Sequence, residues 1–188
     1  MEDTVTTFHA YTPENAPDAS EPLLDTARRK YGFVPELYAY LAESPPALQA
    51  YFDLSARFEQ TSFNPAERQA LLLAISVENA CEFCVAAHSM AARRAGAPDA
   101  VVDALRAMRS VPDAHYAALT TFAQAVVRER GWVTGAPLET FLDSGFTPRQ
   151  VIEVVLATAM KTLSNYVNHM TGARTNPELS AEAWHHPA

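Results

Sequence analysis

The chain of 188 residues is poor in several residue types that mark common protein classes. It has only 6 glycines and 2 cysteines, and its 14 basic residues are outnumbered by 22 acidic ones, for a net charge of −8. Two cysteines are too few for a disulfide framework. The acidic balance argues against a nucleic-acid partner and against an anionic membrane surface. No apolar run reaches the roughly 18 residues of a membrane span, so we expect no membrane partner.

The N-terminus also lacks the apolar segment of a secretory signal, since its first residues are acidic and polar. We therefore expect a cytoplasmic protein. Proline spacing and the scarcity of large apolar residues indicate an irregular N-terminal arm over residues 1–20. We expect a helical domain over 21–175 and a polar C-terminal tail over 176–188.

Helical patterns account for most of the remaining sequence. Asn64 to Glu67 and Thr147 to Gln150 each have the capping-box pattern, with proline at the first helical position. The first of these precedes a run that is apolar on nearly every side, so we expect its helix at the centre of the fold. No segment alternates with a period of two. The sequence therefore predicts an all-α protein with about seven helices or more and no sheet.

One short motif combines several chemically active side chains. Glu78, Cys81, Cys84 and His88 are separated by three, three and four residues. On one continuous helix, these spacings place a carboxylate, two thiols and an imidazole on a single face. Asn79 is a candidate kink, and a helix that restarts there would hold both cysteines in its first two turns.

The two thiols are close enough in sequence for redox chemistry. Cysteines one helical turn apart can form a disulfide, and a helix N-terminus or a nearby imidazole can lower a thiol pKa. Two alternatives remain open: a pair of inert buried thiols, or a zinc site built from Cys81, Cys84 and His88 with Glu78 or His169. A contiguous helix spreads these ligands along a line, so we predict no metal.

The motif ExxCxxCxxxH after an apolar helix resembles the AhpD-like alkylhydroperoxidases of the carboxymuconolactone decarboxylase family. The resemblance extends over roughly residues 30–175, and it includes the segments Gly32–Pro35 and Asn165–His169. It implies an AhpD-like helical bundle that assembles into homo-oligomers, often trimers or hexamers. Decarboxylating members lack the cysteine pair, so the resemblance points away from lactone decarboxylation.

The resemblance also implies roles for individual residues. Cys84 corresponds to the peroxidatic thiol, Cys81 to the resolving thiol and His88 to the relay histidine. Many members have the relay glutamate twelve residues before the first cysteine, where this chain has Gln69. Glu78 is our preferred acid in its place. The further candidates are Glu67, His169 and Tyr166.

We therefore hypothesise a thiol-dependent peroxidase whose substrate is a hydroperoxide. Cys84 is oxidised to a sulfenic acid, His88 or Glu78 delivers a proton, and Cys81 closes a disulfide. The sequence has no GxGxxG fingerprint and so predicts no nicotinamide or flavin cofactor. An external dithiol or a thiol protein must then supply the electrons. The alternatives are a disulfide reductase or redox adaptor that never meets peroxide, and a non-catalytic helical oligomer.

Overall fold

The structure is a computed structural model and describes residues 7–187. This part of the chain folds into nine α-helices and one short 3₁₀ helix, and it contains no β-strand. The predicted all-α class is thereby confirmed. In chain order the elements are α1 (Glu21–Tyr31), α2 (Glu36–Leu41), α3 (Pro45–Phe58), α4 (Pro65–Glu78), α5 (Glu82–Arg94), α6 (Asp99–Arg106), α7 (Ala114–Arg128), α8 (Ala136–Asp143), α9 (Pro148–Thr171) and the 3₁₀ helix (Pro177–Glu182).

Both predicted capping boxes start the helices that build the centre of the fold. Asn64 accepts a hydrogen bond from the Glu67 backbone N–H, and the Glu67 carboxylate accepts one from the Asn64 N–H. Thr147 and Gln150 make the reciprocal pair at the start of α9. α4 is buried along most of its length and packs against α5, α6, α7 and α9. The prediction of a central fourth helix is confirmed.

α9 has two contrasting faces. After the buried Glu153, its buried positions are apolar at Val154 and Ala157 and become polar at Lys161, Ser164 and Asn168. Its opposite face exposes apolar side chains: Ile152, Val155, Tyr166 and Met170 are 68%, 48%, 55% and 72% exposed. Among residues 7–187, no helix combines the length and the apolar character needed to cross a bilayer.

The segment predicted as a polar tail packs onto the helices. Trp184 is buried in a second core cluster with residues of α4, α5 and α6, and its indole N–H donates to the carbonyl of Arg106 at 2.7 Å. Leu179 of the 3₁₀ helix is also buried. The C-terminal segment therefore contributes a wall beside the N-terminus of α5.

The chain turns sharply between α4 and α5, directly before the first cysteine. Ala80 has a φ of 52°. The N–H groups of Ala80 and Cys81 donate to the carbonyls of Val77 and Ser76. These bonds form a Schellman motif, in which the left-handed residue is usually glycine. The interpretation of residues 78–88 as one continuous helix is wrong, and the kink near Asn79 separates Glu78 from the face of the thiols.

We expect Ala80→Gly to stabilise the protein. A non-glycine residue in the left-handed conformation costs about 1–2 kcal/mol of stability, which glycine would recover. The greater freedom of glycine in the unfolded chain offsets roughly 0.5–1 kcal/mol of that recovery. The expected net increase in the free energy of unfolding is about 0.5–1 kcal/mol, measured by chemical denaturation. The control is Ala56→Gly on the exposed face of α3, which we expect to be destabilising. Equal losses of stability in Ala80→Gly and Ala56→Gly would contradict the left-handed conformation of Ala80.

Candidate active site

The two thiols lie at the N-terminus of α5. Cys81 is the N-cap residue, and Cys84 lies in the first turn. Both are free thiols with exposed fractions of 1% and 2%. The side-chain amide Nδ2 of Asn168 lies 3.6 Å from Cys81 Sγ and 3.3 Å from Cys84 Sγ. Both sulfurs therefore lie on the same side of the chain and share one hydrogen-bond donor from α9.

A buried lysine from α9 completes this cluster, and the sequence motif did not predict it. Lys161 is fully buried, and its Nζ lies 3.0 Å from His88 Nε2. Its positive charge also favours the thiolate form of Cys84. A buried ammonium requires a counter-charge. Lys161 has no ion pair with a carboxylate in the part of the chain that the structure describes, so a Cys84 thiolate is the anion that balances it.

The environment assigns opposite protonation states to the two thiols. Burial raises the pKa of Cys84, but a hydrogen bond from the Cys81 thiol and the charge of Lys161 outweigh it and lower the pKa to about 5. The hydrogen bond to Cys84, followed by burial, raises the pKa of Cys81 well above its ordinary range. Near neutral pH, Cys84 is therefore the thiolate and Cys81 the thiol.

His88 is held in a neutral state by its neighbours. Desolvation and the nearby Lys161 ammonium lower the pKa of His88 well below its ordinary range. His88 Nδ1 lies 3.0 Å from Gln69 Oε1. Because Gln69 Oε1 only accepts, Nδ1 carries the proton and Nε2 accepts a hydrogen bond from Lys161. Gln69 therefore fixes the tautomer of His88.

A second asparagine of α9 connects the cluster to the turn before Cys81. Asn165 Oδ1 accepts a hydrogen bond from Asn79 Nδ2 at 2.9 Å. Its amide also favours the Cys84 thiolate. Within residues 7–187, the buried Asn165 Nδ2 has no well-formed hydrogen bond. The turn that follows α4 is thereby fixed against the same helix that supplies Lys161 and Asn168.

Two cavities reach the thiols, one for each sulfur. Cys84 and His88 line a cavity of about 920 Å³, the Cys84 cavity. Cys81 lines a separate cavity of about 480 Å³, the Cys81 cavity. Phe83 lines both and lies between them. The Cys84 cavity is rich in apolar and aromatic side chains: Tyr31, Phe33, Leu37, Tyr38, Tyr51, Phe58, Leu72, Met90 and Met160.

The two candidate acids are engaged elsewhere. Both oxygens of the Glu78 carboxylate accept hydrogen bonds from the guanidinium of Arg128, each at 2.9 Å. Glu67 closes the capping box of α4, and its other oxygen lies 2.7 Å from His115 Nε2. Neither glutamate lines either cavity. The structure therefore does not bring Glu78 or Glu67 to the sulfurs.

The two remaining candidates lie near the C-terminus of α9. His169 lines the Cys81 cavity. Tyr166 stacks on His169 with ring centroids 6.4 Å apart and points largely into solvent. The structure thus brings together Cys81, Cys84 and His88 around Lys161, with His169 near Cys81 and Tyr166 outside both cavities.

The residues near the thiols do not form a recognisable metal site. Between residues 7 and 187 there is no group of three or more His, Cys, Asp or Glu side chains arranged to hold a metal ion. Glu78 faces Arg128, and the Nε2 of His88 faces an ammonium rather than the sulfurs. The ligand set that the sequence offered for zinc is therefore not assembled.

The lowered pKa of Cys84 predicts a specific pH dependence of stability. The pKa of Cys84 is near 8.5 in the unfolded chain and about 5 in the folded protein. Between these two pH values, the unfolded chain therefore binds more protons than the folded protein. Stability therefore rises with pH in this window and is lost as the pH falls through about 5. Relative to Cys84→Ala, the unfolding free energy of the reduced protein should gain up to about 1.4 kcal/mol per pH unit. If the unfolding free energies of the two proteins changed with pH in parallel, the lowered pKa of Cys84 would be contradicted.

Comparison with known sequences places the central part of the chain in a family. The sequence profile of the Carboxymuconolactone decarboxylase family matches residues 45–129, which run from α3 to the end of α7 and include both cysteines. No curated protein has a significant sequence match to the chain.

Solved structures with the same fold cover nearly the whole chain. A peroxidase-related protein from Ralstonia eutropha JMP134, described as an alkylhydroperoxidase AhpD core, is 25% identical with a TM-score of 0.78, over 93% of this chain and 95% of the other. A peroxidase-related protein from Silicibacter sp. TM1040 is 22% identical with a TM-score of 0.75, over 95% and 97%. The debrominase Bmp8, as a cysteine-to-alanine variant in complex with 2,3,4-tribromopyrrole, is 16% identical with a TM-score of 0.78, over 95% and 96%.

The fold and the site together define an all-helical protein with a buried pair of thiols at a helix N-terminus. Residues 45–129 match the carboxymuconolactone decarboxylase family, and the whole fold is similar to that of an AhpD-core protein. The resemblance drawn from the ExxCxxCxxxH motif is confirmed.

Proposed function

We propose that the protein is a thiol-dependent peroxidase that reduces organic hydroperoxides at Cys84. The observation that carries the proposal is the pairing of a Cys84 thiolate with the buried ammonium of Lys161, beside a protonated Cys81. Reactive thiols have a low pKa and an electropositive surrounding, whereas structural buried cysteines are inert. The apolar cavity at Cys84 fits the organic part of an alkyl or aryl hydroperoxide.

In the first step, the Cys84 thiolate attacks the terminal oxygen of the hydroperoxide. A sulfur–oxygen bond forms and the oxygen–oxygen bond breaks, giving Cys84 sulfenic acid and an alkoxide. Lys161 lines the same cavity as Cys84 and favours its thiolate, so its ammonium serves as the acid for the leaving oxygen. Proton transfer from Lys161 yields the alcohol and a neutral amine.

In the second step, the Cys81 thiol attacks the sulfenic acid, releasing water and closing the disulfide. The oxidised site then contains no thiolate, so a charged Lys161 would be a buried cation without a partner. Loss of the Lys161 proton in the first step removes that cost. When a dithiol reduces the disulfide, the proton it releases restores the ammonium and the thiolate together.

His88 acts in this scheme as a positioning residue. Its Nδ1 proton is held by Gln69, and its Nε2 accepts from Lys161. A neutral imidazole with this tautomer has no proton to give at the site. It orients Lys161 towards Cys84 and, by accepting a hydrogen bond, partly satisfies the buried ammonium.

The test is a single turnover of the reduced protein with cumene hydroperoxide. We expect one peroxide to consume both thiols of each chain, with cumyl alcohol formed and a Cys81–Cys84 disulfide found by mass spectrometry. Protein alkylated beforehand with iodoacetamide is the control. Slow thiol loss with rapid disulfide exchange would indicate the redox adaptor instead. Thiols that react in neither assay would indicate a non-catalytic oligomer.

A second candidate function is reductive debromination of an aromatic ring. It is favoured by the aromatic lining of the Cys84 cavity, whose volume of about 920 Å³ exceeds what a peroxide group alone requires. In such a reaction the thiolate takes the bromine, Lys161 protonates the ring carbon, and Cys81 displaces bromide as the disulfide forms. Bromide release from 2,3,4-tribromopyrrole, compared with alcohol release from cumene hydroperoxide, separates the two functions.

We also propose that a second copy of the chain covers the exposed apolar face of α9, as the homo-oligomers implied by the resemblance require. Ile152, Val155, Tyr166 and Met170 lie within a single stripe at 100° per residue. Exposed apolar side chains that share one face of a helix are typical of an interface rather than of scattered surface residues.

Charges on that stripe should prevent assembly. We expect the wild type to elute as a trimer or hexamer in size-exclusion chromatography with light scattering. The double variant Ile152→Lys and Met170→Lys should be monomeric, because two ammonium groups would be desolvated at the interface. Trp132→Lys is the matched control, since Trp132 is 87% exposed and lies outside α9. A monomeric wild type would overturn this proposal.

A further inference from the structure

The two sulfurs are reached from different cavities. The Cys84 cavity does not include Cys81, and the Cys81 cavity does not include Cys84. Phe83 contributes to both and lies between them. The Cys84 cavity is bounded mainly by helices α1 to α5, whereas the walls of the Cys81 cavity come from the end of α9 and from the C-terminal segment with Trp184 and His185.

We propose that the Cys81 cavity is the entry route of the reductant, a small flexible dithiol, which attacks the disulfide at Cys81 while the peroxide reaches Cys84 from the other side. This inference rests on the proposed function, because it assigns a route to the second half of the catalytic cycle.

The chemistry of the disulfide favours attack at Cys81. Thiol–disulfide exchange is faster when the sulfur that leaves has a low pKa. Attack on Cys81 Sγ breaks the Cys81–Cys84 bond and releases Cys84 as the thiolate that Lys161 and Asn168 stabilise. The second thiol of the reductant then attacks its own sulfur in the mixed disulfide. This step releases Cys81, which keeps one proton, while the reductant leaves as a cyclic disulfide and Lys161 takes the other proton.

Asn168 supplies a second, independent indication of a ligand in this cavity. Its Nδ2 donates to both sulfurs, and its side chain is 4% exposed. Among the residues that the structure describes, no donor contacts its Oδ1. A buried acceptor without a partner is rare. Asn168 lines the Cys81 cavity, and an S–H or amide N–H of a dithiol bound there would supply the missing donor.

The burial of Cys81 selects the kind of reductant. With 1% of its surface exposed, its sulfur is out of reach of a cysteine on the surface of a folded protein. The Cys81 cavity, lined by Trp184 and by the end of α9, has room for a small thiol. The occupant is therefore a low-molecular-weight dithiol.

The position of the mixed disulfide tests the route directly. The protein is oxidised with diamide, so that the assay does not depend on peroxide chemistry. It is then mixed briefly with glutathione, quenched with acid and mapped by mass spectrometry after alkylation. We expect glutathione on Cys81 and the alkyl label on Cys84, in a ratio of about ten to one or more. Glutathione on Cys84, or an even split, would overturn the proposal.

Two cavity-filling variants separate the half-reactions. Thr175 is half-buried in the Cys81 cavity, and Ala91 is half-buried in the Cys84 cavity. Thr175→Trp should slow reduction of the diamide-oxidised protein by dithiothreitol about tenfold or more while oxidation by cumene hydroperoxide keeps its rate. Ala91→Trp should have the opposite effect.

The failures of the two proposals are distinguishable. If peroxide does not oxidise the protein but the diamide-formed disulfide opens at Cys81, the proposed function is refuted and the reductant route stands. If peroxide oxidises the protein but the disulfide opens at Cys84, only the reductant route is refuted. Because the mapping uses the unaltered chain, it decides between these outcomes even where a tryptophan variant fails to fold.

Discussion

Replacing Lys161 with methionine is expected to slow the oxidation of Cys84 by peroxide about a hundredfold or more near pH 7. Without the ammonium, the burial of Cys84 raises its pKa above the ordinary range, and the thiolate becomes a minor species. The proton donor for the leaving alkoxide is lost in the same substitution. The pH profile of iodoacetamide alkylation measures the first effect separately: its midpoint should move from about 5 to the alkaline range.

The same substitution should leave the fold intact or make it more stable. Removing one partner of a buried ion pair is destabilising when the other charge stays buried and unpaired, but in Lys161→Met the Cys84 thiol stays protonated, so no such charge is left. Lys161→Met therefore separates function from stability, since activity falls while the free energy of unfolding does not. Lys30→Met is the matched control, because Lys30 also lines the Cys84 cavity but pairs with Glu59 on the surface. A Lys161→Met protein that keeps its alkylation midpoint near 5 would refute the role of the ammonium.

The parts of the site that the sequence predicted are those encoded locally. Both capping boxes depend on residues three apart, and both formed as expected. The CxxC spacing placed Cys81 and Cys84 within one turn, which the start of α5 preserves. His88 follows on the same helix. Contacts of this kind are set by helix geometry and need no knowledge of the tertiary fold.

The wrong placement of Glu78 also has a local cause. Counting by threes and fours assumes an unbroken helix, but a Schellman motif at Ala80 ends α4 before the thiols. A left-handed alanine is uncommon, so Asn79 is the one residue in the sequence that signals the break. Glu67 is a candidate only through its proximity in sequence, and its carboxylate serves the helix cap.

Lys161 and Asn168 could not be predicted from the motif because they lie more than 70 residues away from it. One signal is nevertheless present in α9. Val154, Ala157, Lys161, Ser164 and Asn168 recur at spacings of three and four, so they share one helix face. A lysine within such a face has to be either exposed or paired in the interior. Only the packing of α9 against α4 and α5 decides between these outcomes.

Substitution of the two cysteines should stop the catalytic cycle at two different points. Cys84→Ser removes the nucleophile, and we expect peroxide consumption to fall by a factor of about a thousand or more. Cys81→Ser should instead consume one peroxide per chain and then stop, because no thiol remains to resolve the sulfenic acid. Dimedone labelling followed by mass spectrometry should detect that sulfenic acid on Cys84 in Cys81→Ser, whereas the wild type should give the disulfide instead.

A comparison of Cys81→Ser with Cys81→Ala tests the hydrogen bond between the two thiols. The Cys81 thiol donates to Cys84 and lowers its pKa. Serine keeps an O–H donor at this position, whereas alanine removes it. The alkylation midpoint of Cys84 should therefore lie at a higher pH in Cys81→Ala than in Cys81→Ser, since the thiolate loses one of its stabilising donors. Lys161 and Asn168 remain in both variants, so the difference isolates Cys81. Equal midpoints would mean that Lys161 and the asparagines alone set the pKa of Cys84, and that Cys81 acts only when the disulfide closes.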